Sequence, residues 1–280
     1  TAIYGISSII GRFLNFLLTP LYALQFSNEQ YGIITEMYAY VAFLVVFLTY
    51  GMETAFFRFS TSNKEGKINI YSNTLYSLIT TSAIFVAMAT IFSQNIADWL
   101  KYPNHKEYII WFSLIVSLDA VSSIPLAKLR LQEKAKKFAL VNLLNVGVNI
   151  FLNLFFLIYC KEAYENGHQN WITENLYNPK IGVGYVFISN LFASVIKFVV
   201  LMPTMSFKGN FDFTVLKEMI SYAAPMLLVG LAYVVNETLD RAMLKSILFN
   251  QYLENGDAKN SSQALSMALS QNGIYGANYK

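Results

Sequence analysis

Phe138-Ala-Leu-Val-Asn-Leu-Leu-Asn-Val-Gly-Val-Asn-Ile-Phe-Leu-Asn-Leu-Phe-Phe-Leu-Ile-Tyr-Cys160 decides the fold class. It runs 23 residues without a charged side chain. A helix of about 20 residues crosses a hydrocarbon core about 30 Å thick. Lipid offers no partner to a backbone N–H or C=O, so such a stretch spans as a helix; the alternating pattern of a membrane barrel is absent. Six further stretches of this kind lie outward from it, at 3–24, 33–57, 70–97, 108–127, 184–203 and 216–236, the last extending toward 249. Asp119 dilutes the fourth span, and Glu237, Asp240 and Arg241 dilute the seventh. The expected fold is an all-α, polytopic transmembrane helix bundle.

Composition agrees. Apolar residues make up 55% of the chain and charged residues 13%, against roughly 25% charged in a soluble domain. Mean hydropathy is +0.41. A net charge of +3 is too small to point to nucleic acid. One cysteine, Cys160, excludes an intrachain disulfide, and His105 and His168 alone make no zinc or haem cluster, so neither metal nor cofactor is expected. The first apolar stretch lacks a basic flank and a small-residue cleavage site and reads as a retained span.

The connections set an orientation. With the N-terminus in the cytoplasm, 58–67, 128–137 and 204–218 lie inside with net charges of +2, +4 and 0. The outer connections 25–32, 98–107 and 161–183 carry −1, 0 and −1. An excess of Lys and Arg in cytoplasmic loops is the usual asymmetry. Lys128, Arg130, Lys134, Lys136 and Lys137 supply most of it; they serve as a topology anchor or as a contact for anionic lipid or a phosphorylated ligand. Residues 254–272 read as a polar loop and a further span is expected from Ile274, so the chain is expected to be part of a longer protein.

Charges within spans face a cavity or one another. Arg12 lies near the middle of span 1, Glu36 and Glu53 near the two ends of span 2 at the interfaces, and Asp119 and Lys197 inside spans 4 and 6. Asn142, Asn145, Asn149 and Asn153 keep to one helix face. They form interhelical bonds or the wall of a hydrated path, with Asn190 of span 6 as the nearest counterpart. Pro225 is a kink site in span 7, whereas Pro20 and Pro125 mark span boundaries. Glu237 and Arg241 are spaced for an i,i+4 pair beside Asp240, either as a salt-bridged helix end or as a gate. No phosphate loop, nucleophile–His arrangement or metal motif points to soluble catalysis.

Phe13-Leu-Asn-Phe-Leu-Leu-Thr-Pro-Leu-Tyr22, Tyr31-Gly32, Tyr50-Gly-Met-Glu-Thr-Ala-Phe-Phe-Arg58, Ser123-Ile-Pro-Leu-Ala-Lys-Leu-Arg130, Leu239-Asp240-Arg241 and Gly273-Ile-Tyr-Gly-Ala-Asn-Tyr-Lys280 follow one another in the chain. In this order they resemble the N-terminal half of a polysaccharide biosynthesis protein, an O-antigen-type flippase of the multidrug/oligosaccharidyl-lipid/polysaccharide exporter superfamily. The resemblance implies a MATE-like fold of about 12 to 14 helices in two bundles around a cavity. Residues 1–210 would then be the first six-helix bundle, and 211–280 the first helix of the second, an outer loop and the start of the next helix. It implies movement of undecaprenyl-pyrophosphate-linked oligosaccharide across the bacterial inner membrane, with anionic lipids and polysaccharide polymerase machinery as further partners and no bond made or broken. Arg12 and Lys197 become the cations for pyrophosphate, with Asn145, Asn149 and Asn190 along the path. Glu53, Asp119, Pro225, Glu237, Asp240 and Arg241 become coupling or gating residues. The alternatives are an ion-coupled drug or cation exporter, a lipid II flippase, or a membrane-embedded transferase.

Overall fold

Seven stretches among the described residues are long and apolar enough to cross a membrane, and each falls on an expected span. The computed structural model describes residues 2–62, 70–167, 170–207 and 211–278. His168, half of the 58–67 connection, Lys208 of the 204–218 connection and the closing Tyr279-Lys280 lie outside the described residues. The helices are α1 (Ala2–Phe16), α2 (Leu18–Gln25), α3 (Asn28–Thr49), α4 (Met52–Ser62), α5 (Ile70–Ile91), α6 (Ser93–Trp99) and α7 (Lys106–Leu131). They continue as α8 (Ala135–Leu154), α9 (Lys161–Glu165), α10 (Trp171–Leu176), α11 (Gly184–Leu201), α12 (Phe213–Glu254) and α13 (Ser261–Asn278). A π-helical turn, Phe155–Cys160, carries α8 into α9. The chain is an all-α, multi-pass membrane protein.

Local chemistry sets the ends. Ser27 and Gln30 form a reciprocal capping box that starts α3. Asp212 caps α12 by accepting from the Thr214 and Val215 N–H groups. Asn73 of α5 holds that cap in place, its Oδ1 accepting from the Asp212 N–H at 2.9 Å and its amide donating to the Asp212 carbonyl. Two cores result. One, toward the α3 N-terminus, is aromatic, with Phe187 against Tyr108 and Phe112 at 5.0 and 4.6 Å. The other, toward the α12 N-terminus, joins Met52, Phe56, Leu75, Leu78 and Met219. Large apolar side chains on α1 (Ile9, Phe13) and α12 (Leu228, Val229) remain exposed, as lipid-facing positions do.

Four expectations change. Span 2 is broken, with Tyr50 and Gly51 both at positive φ between α3 and α4. A Cβ on Gly51 would sit 2.7 Å from the Ala223 carbonyl oxygen, so glycine serves both the turn and the approach of α12. Pro125 does not mark a boundary: α7 runs past it, as α12 runs past Pro225. The charges Glu237, Asp240 and Arg241 do not end span 7, which continues to Glu254. Residues 261–272 are helix rather than loop, because α13 begins at Ser261 and packs along α3. Small residues permit that contact: a Cβ on Gly32 would lie 2.0 Å from the Leu269 carbonyl oxygen, and one on Gly273 2.0 Å from that of Asn28. Close backbone approach through small residues is how helices associate in lipid, where propensity and hydropathy decide little.

Candidate functional site

The amide row of α8 opens onto a cavity of 310 Å³ between α1, α2, α3, α8 and α11. Asn145 and Asn149 line it from α8, Asn15 from α1, Tyr22 from α2, Tyr38 from α3 and Asn190 from α11. Asn153 closes one end of the row, its amide donating to the Asn149 carbonyl at 2.8 Å and its Oδ1 accepting from the Tyr22 hydroxyl at 3.0 Å. Across the cavity the Asn190 amide donates to the Tyr38 hydroxyl at 3.1 Å. The Asn145 Oδ1 is buried and finds no partner among the described residues. A buried amide oxygen left unpaired costs about 1–3 kcal/mol, which a hydroxylic ligand or water would offset.

One helix face leads from this cavity to a charge pair. Asn190, Ser194 and Lys197 follow one another along α11 at helical spacing. Lys197 Nζ lies 2.6 Å from Asp119 Oδ1, and Ser194 donates to the same oxygen at 2.9 Å. The two side chains are 10% and 29% exposed, so the carboxylate keeps an open side. Two residues that the sequence assigns to different tasks, substrate path and coupling, therefore form one unit.

A second pair is sealed. Lys245 Nζ of α12 lies 2.7 Å from Glu36 Oε1 of α3, with the side chains 3% and 0% exposed. Tyr40 donates to Oε1 at 2.9 Å and Tyr102 to Oε2 at 2.5 Å. Lys245 also donates to the Leu100 carbonyl at 2.9 Å and lies 4.5 Å from the Tyr102 ring centroid. Burial, then the Glu36 charge, holds the Tyr102 hydroxyl well above its ordinary pKa, so it stays a donor. Glu36, expected at the interface, is buried because its partners come from the 98–107 connection and from beyond residue 236.

The other residues singled out by sequence stand apart from the amide cavity. Arg12 is exposed on α1, one turn from Asn15, and does not line it. Glu53 pairs with Arg130, whose guanidinium also lies 5.3 Å from the Phe57 ring centroid. Pro225 and Glu237 are exposed on α12. Asp240, also exposed, accepts from the Tyr275 hydroxyl and from the Arg241 backbone N–H. A larger apolar cavity of 590 Å³ lies between α3, α5, α7 and α12, lined by Met37, Val41, Phe85, Phe112 and Met243 among others. It offers a glycan few hydrogen bonds.

Sequence reasoning missed Asn15, Tyr22, Tyr38, Ser194, Tyr102 and Lys245. Ser194 carried a signal in its spacing from Lys197; Lys245, between Ala242-Met-Leu and Ile247-Leu-Phe249, carried the signal of a lone charge in an apolar run. The profile of the polysaccharide biosynthesis protein family matches residues 25–166. That stretch includes Glu36, Tyr38, Asp119, Asn145 and Asn149, and leaves out Asn190, Lys197 and Lys245. No curated protein and no solved structure matches the chain. With just over half of its length matched, the chain belongs to the polysaccharide biosynthesis protein family.

Proposed function

We propose that the chain works in the bacterial inner membrane as a flippase for undecaprenyl-pyrophosphate-linked oligosaccharide, serving O-antigen, capsule or exopolysaccharide synthesis. The observation that carries this reading is the amide- and tyrosine-lined cavity between α1, α2, α3, α8 and α11, joined along α11 to the Asp119–Lys197 pair. Sugars present hydroxyls that both give and take hydrogen bonds, and amides and phenols answer both. Membership of a polysaccharide biosynthesis family supports the same substrate class. The lipid-linked glycan leaves a basic end, marked by Lys128, Arg130 and Lys134, which sits in the cytoplasm with the N-terminus. The apolar cavity beside Met37 suits a polyprenyl chain. Transport proceeds by rocking about the amide cavity, with no bond made or broken. Polysaccharide polymerase machinery is the downstream partner.

Ion-coupled export of drugs or cations fits less well. It needs a carboxylate free to take up a cation, and Asp119 is already held by Lys197 and Ser194. The test is reconstitution of the full-length protein in vesicles with fluorescent lipid-linked oligosaccharide in one leaflet. The expected outcome is transbilayer movement that Lys197→Ala slows at least about tenfold and Lys197→Arg largely restores. Absence of movement by the unmodified protein, or full movement with Lys197→Ala, contradicts the reading.

A further inference from the structure

At the end of the bundle where α7 meets α8, three lysines close on a pocket separate from the amide cavity. Lys128, Lys134 and Lys137 line it with Gln132, Thr204 and Ser206, around a volume of 270 Å³. The turn brings them together: Glu133 takes a left-handed conformation, and the Lys134 N–H returns to the Leu129 carbonyl at 2.9 Å. The opposite wall is fixed. Tyr71 and Lys128 both donate to the Thr204 carbonyl, at 3.2 and 2.9 Å, and Ser72 donates to the Ser206 carbonyl at 2.9 Å. Lys128 Nζ also lies 3.8 Å from the Tyr71 ring centroid.

The charge balance of this pocket is one-sided. Among the described residues no carboxylate lines it: Glu133 is exposed outside the lining, and Glu53 of α4 is held by Arg130. Lys134 and Lys137 have no ion-pair partner among the described residues, and Lys128 uses one of three donors on Thr204. Three ammonium groups around one cleft repel each other unless an anion sits between them. A topology anchor needs the charges at this end of the bundle, but it needs neither their convergence nor a fixed wall.

We propose that this pocket binds a phosphate group at the membrane surface, as a phosphodiester or pyrophosphate headgroup. Its volume lies below the roughly 300–1,000 Å³ of sites that enclose whole small molecules, so it takes the headgroup and leaves the rest outside. The site rests on the membrane assignment and not on the translocation reading, because its occupancy requires no transport. Two sources share this chemistry: an anionic phospholipid, and the pyrophosphate of a polyprenyl-linked glycan.

The test measures binding of inorganic pyrophosphate to the full chain in detergent by calorimetry, at rising salt. Affinity that falls with salt, and that falls at least about tenfold in the Lys134→Gln/Lys137→Gln variant but not in the Arg counterparts, supports the site. Thermal melting shows whether the variant is folded; if it is not, Lys137→Gln alone is read the same way. Competition in phosphatidylcholine nanodiscs then identifies the source. Displacement by phosphatidylglycerol assigns the pocket to bulk anionic lipid, and displacement by undecaprenyl pyrophosphate alone assigns it to the cargo lipid. No pyrophosphate binding, or unchanged affinity in a folded Gln variant, overturns the proposal. Binding without any movement of lipid-linked glycan would leave this site standing and the flippase reading fallen.

Discussion

Glu36–Lys245 and Asp119–Lys197 are the same chemical pair in different settings. The first is closed off, with its carboxylate held by two tyrosines and its lysine by a backbone carbonyl. The second has a serine on the same oxygen and a carboxylate 29% exposed, one helix face away from a polar cavity. Removing charges from water is costly, and a buried pair recovers that cost when its remaining lone pairs and protons are satisfied. The sealed pair meets that condition without a ligand and joins α3 to α12. The open pair leaves room for a solute to add a contact. A fastening and a working charge are thus separated by what surrounds them.

Disrupting the sealed pair should destabilise the molecule most. Lys245→Ala leaves the Glu36 charge buried without a cation and should cost about 3–5 kcal/mol in thermal or denaturant unfolding. The Glu36→Gln/Lys245→Met variant should recover more than half of that loss, since neither residue is then charged. Gly32→Ala comes next. Its Cβ would meet a backbone oxygen of α13 that cannot turn aside, so about 1–3 kcal/mol is expected in the same assay. Lys197→Ala should cost about 1–2 kcal/mol, because Asp119 keeps Ser194 and an open side, and its larger effect should fall on transport. Tyr22→Phe removes a single hydrogen bond to Asn153 and should cost about 1 kcal/mol. If Lys197→Ala proved more destabilising than Lys245→Ala, the contrast between the two pairs would be lost.

Spans were legible because hydrophobic length is a one-dimensional property: α5, α7, α8 and α11 lie where apolar runs lie. The same logic failed for α13, whose stability comes from Gly32, Gly273 and the backbone they let approach, a contact between segments far apart in the chain. Asn145, Asn149 and Asn190 were readable as an amide set from their spacing and their place in apolar spans. Their tyrosine partners were hidden among many aromatics with no distinguishing pattern. Asp119 and Lys197 each stood out as an expensive charge, but sequence cannot say that they cancel one another. Tyr50-Gly51 and Tyr31-Gly32, two of the stretches behind the family resemblance, turn out to sit where α12 and α13 press closest on the first helices.

On the proposed function a glycan passes the amide cavity, while the Glu36–Lys245 cluster only fastens the bundle. This is tested most directly by measuring transbilayer movement of lipid-linked oligosaccharide and melting temperature together in Asn145→Leu/Asn149→Leu. Movement should fall at least about tenfold with melting within a few degrees of the unmodified protein, because apolar side chains fill the cavity without stranding a charge. Undiminished movement in a folded variant would contradict the account.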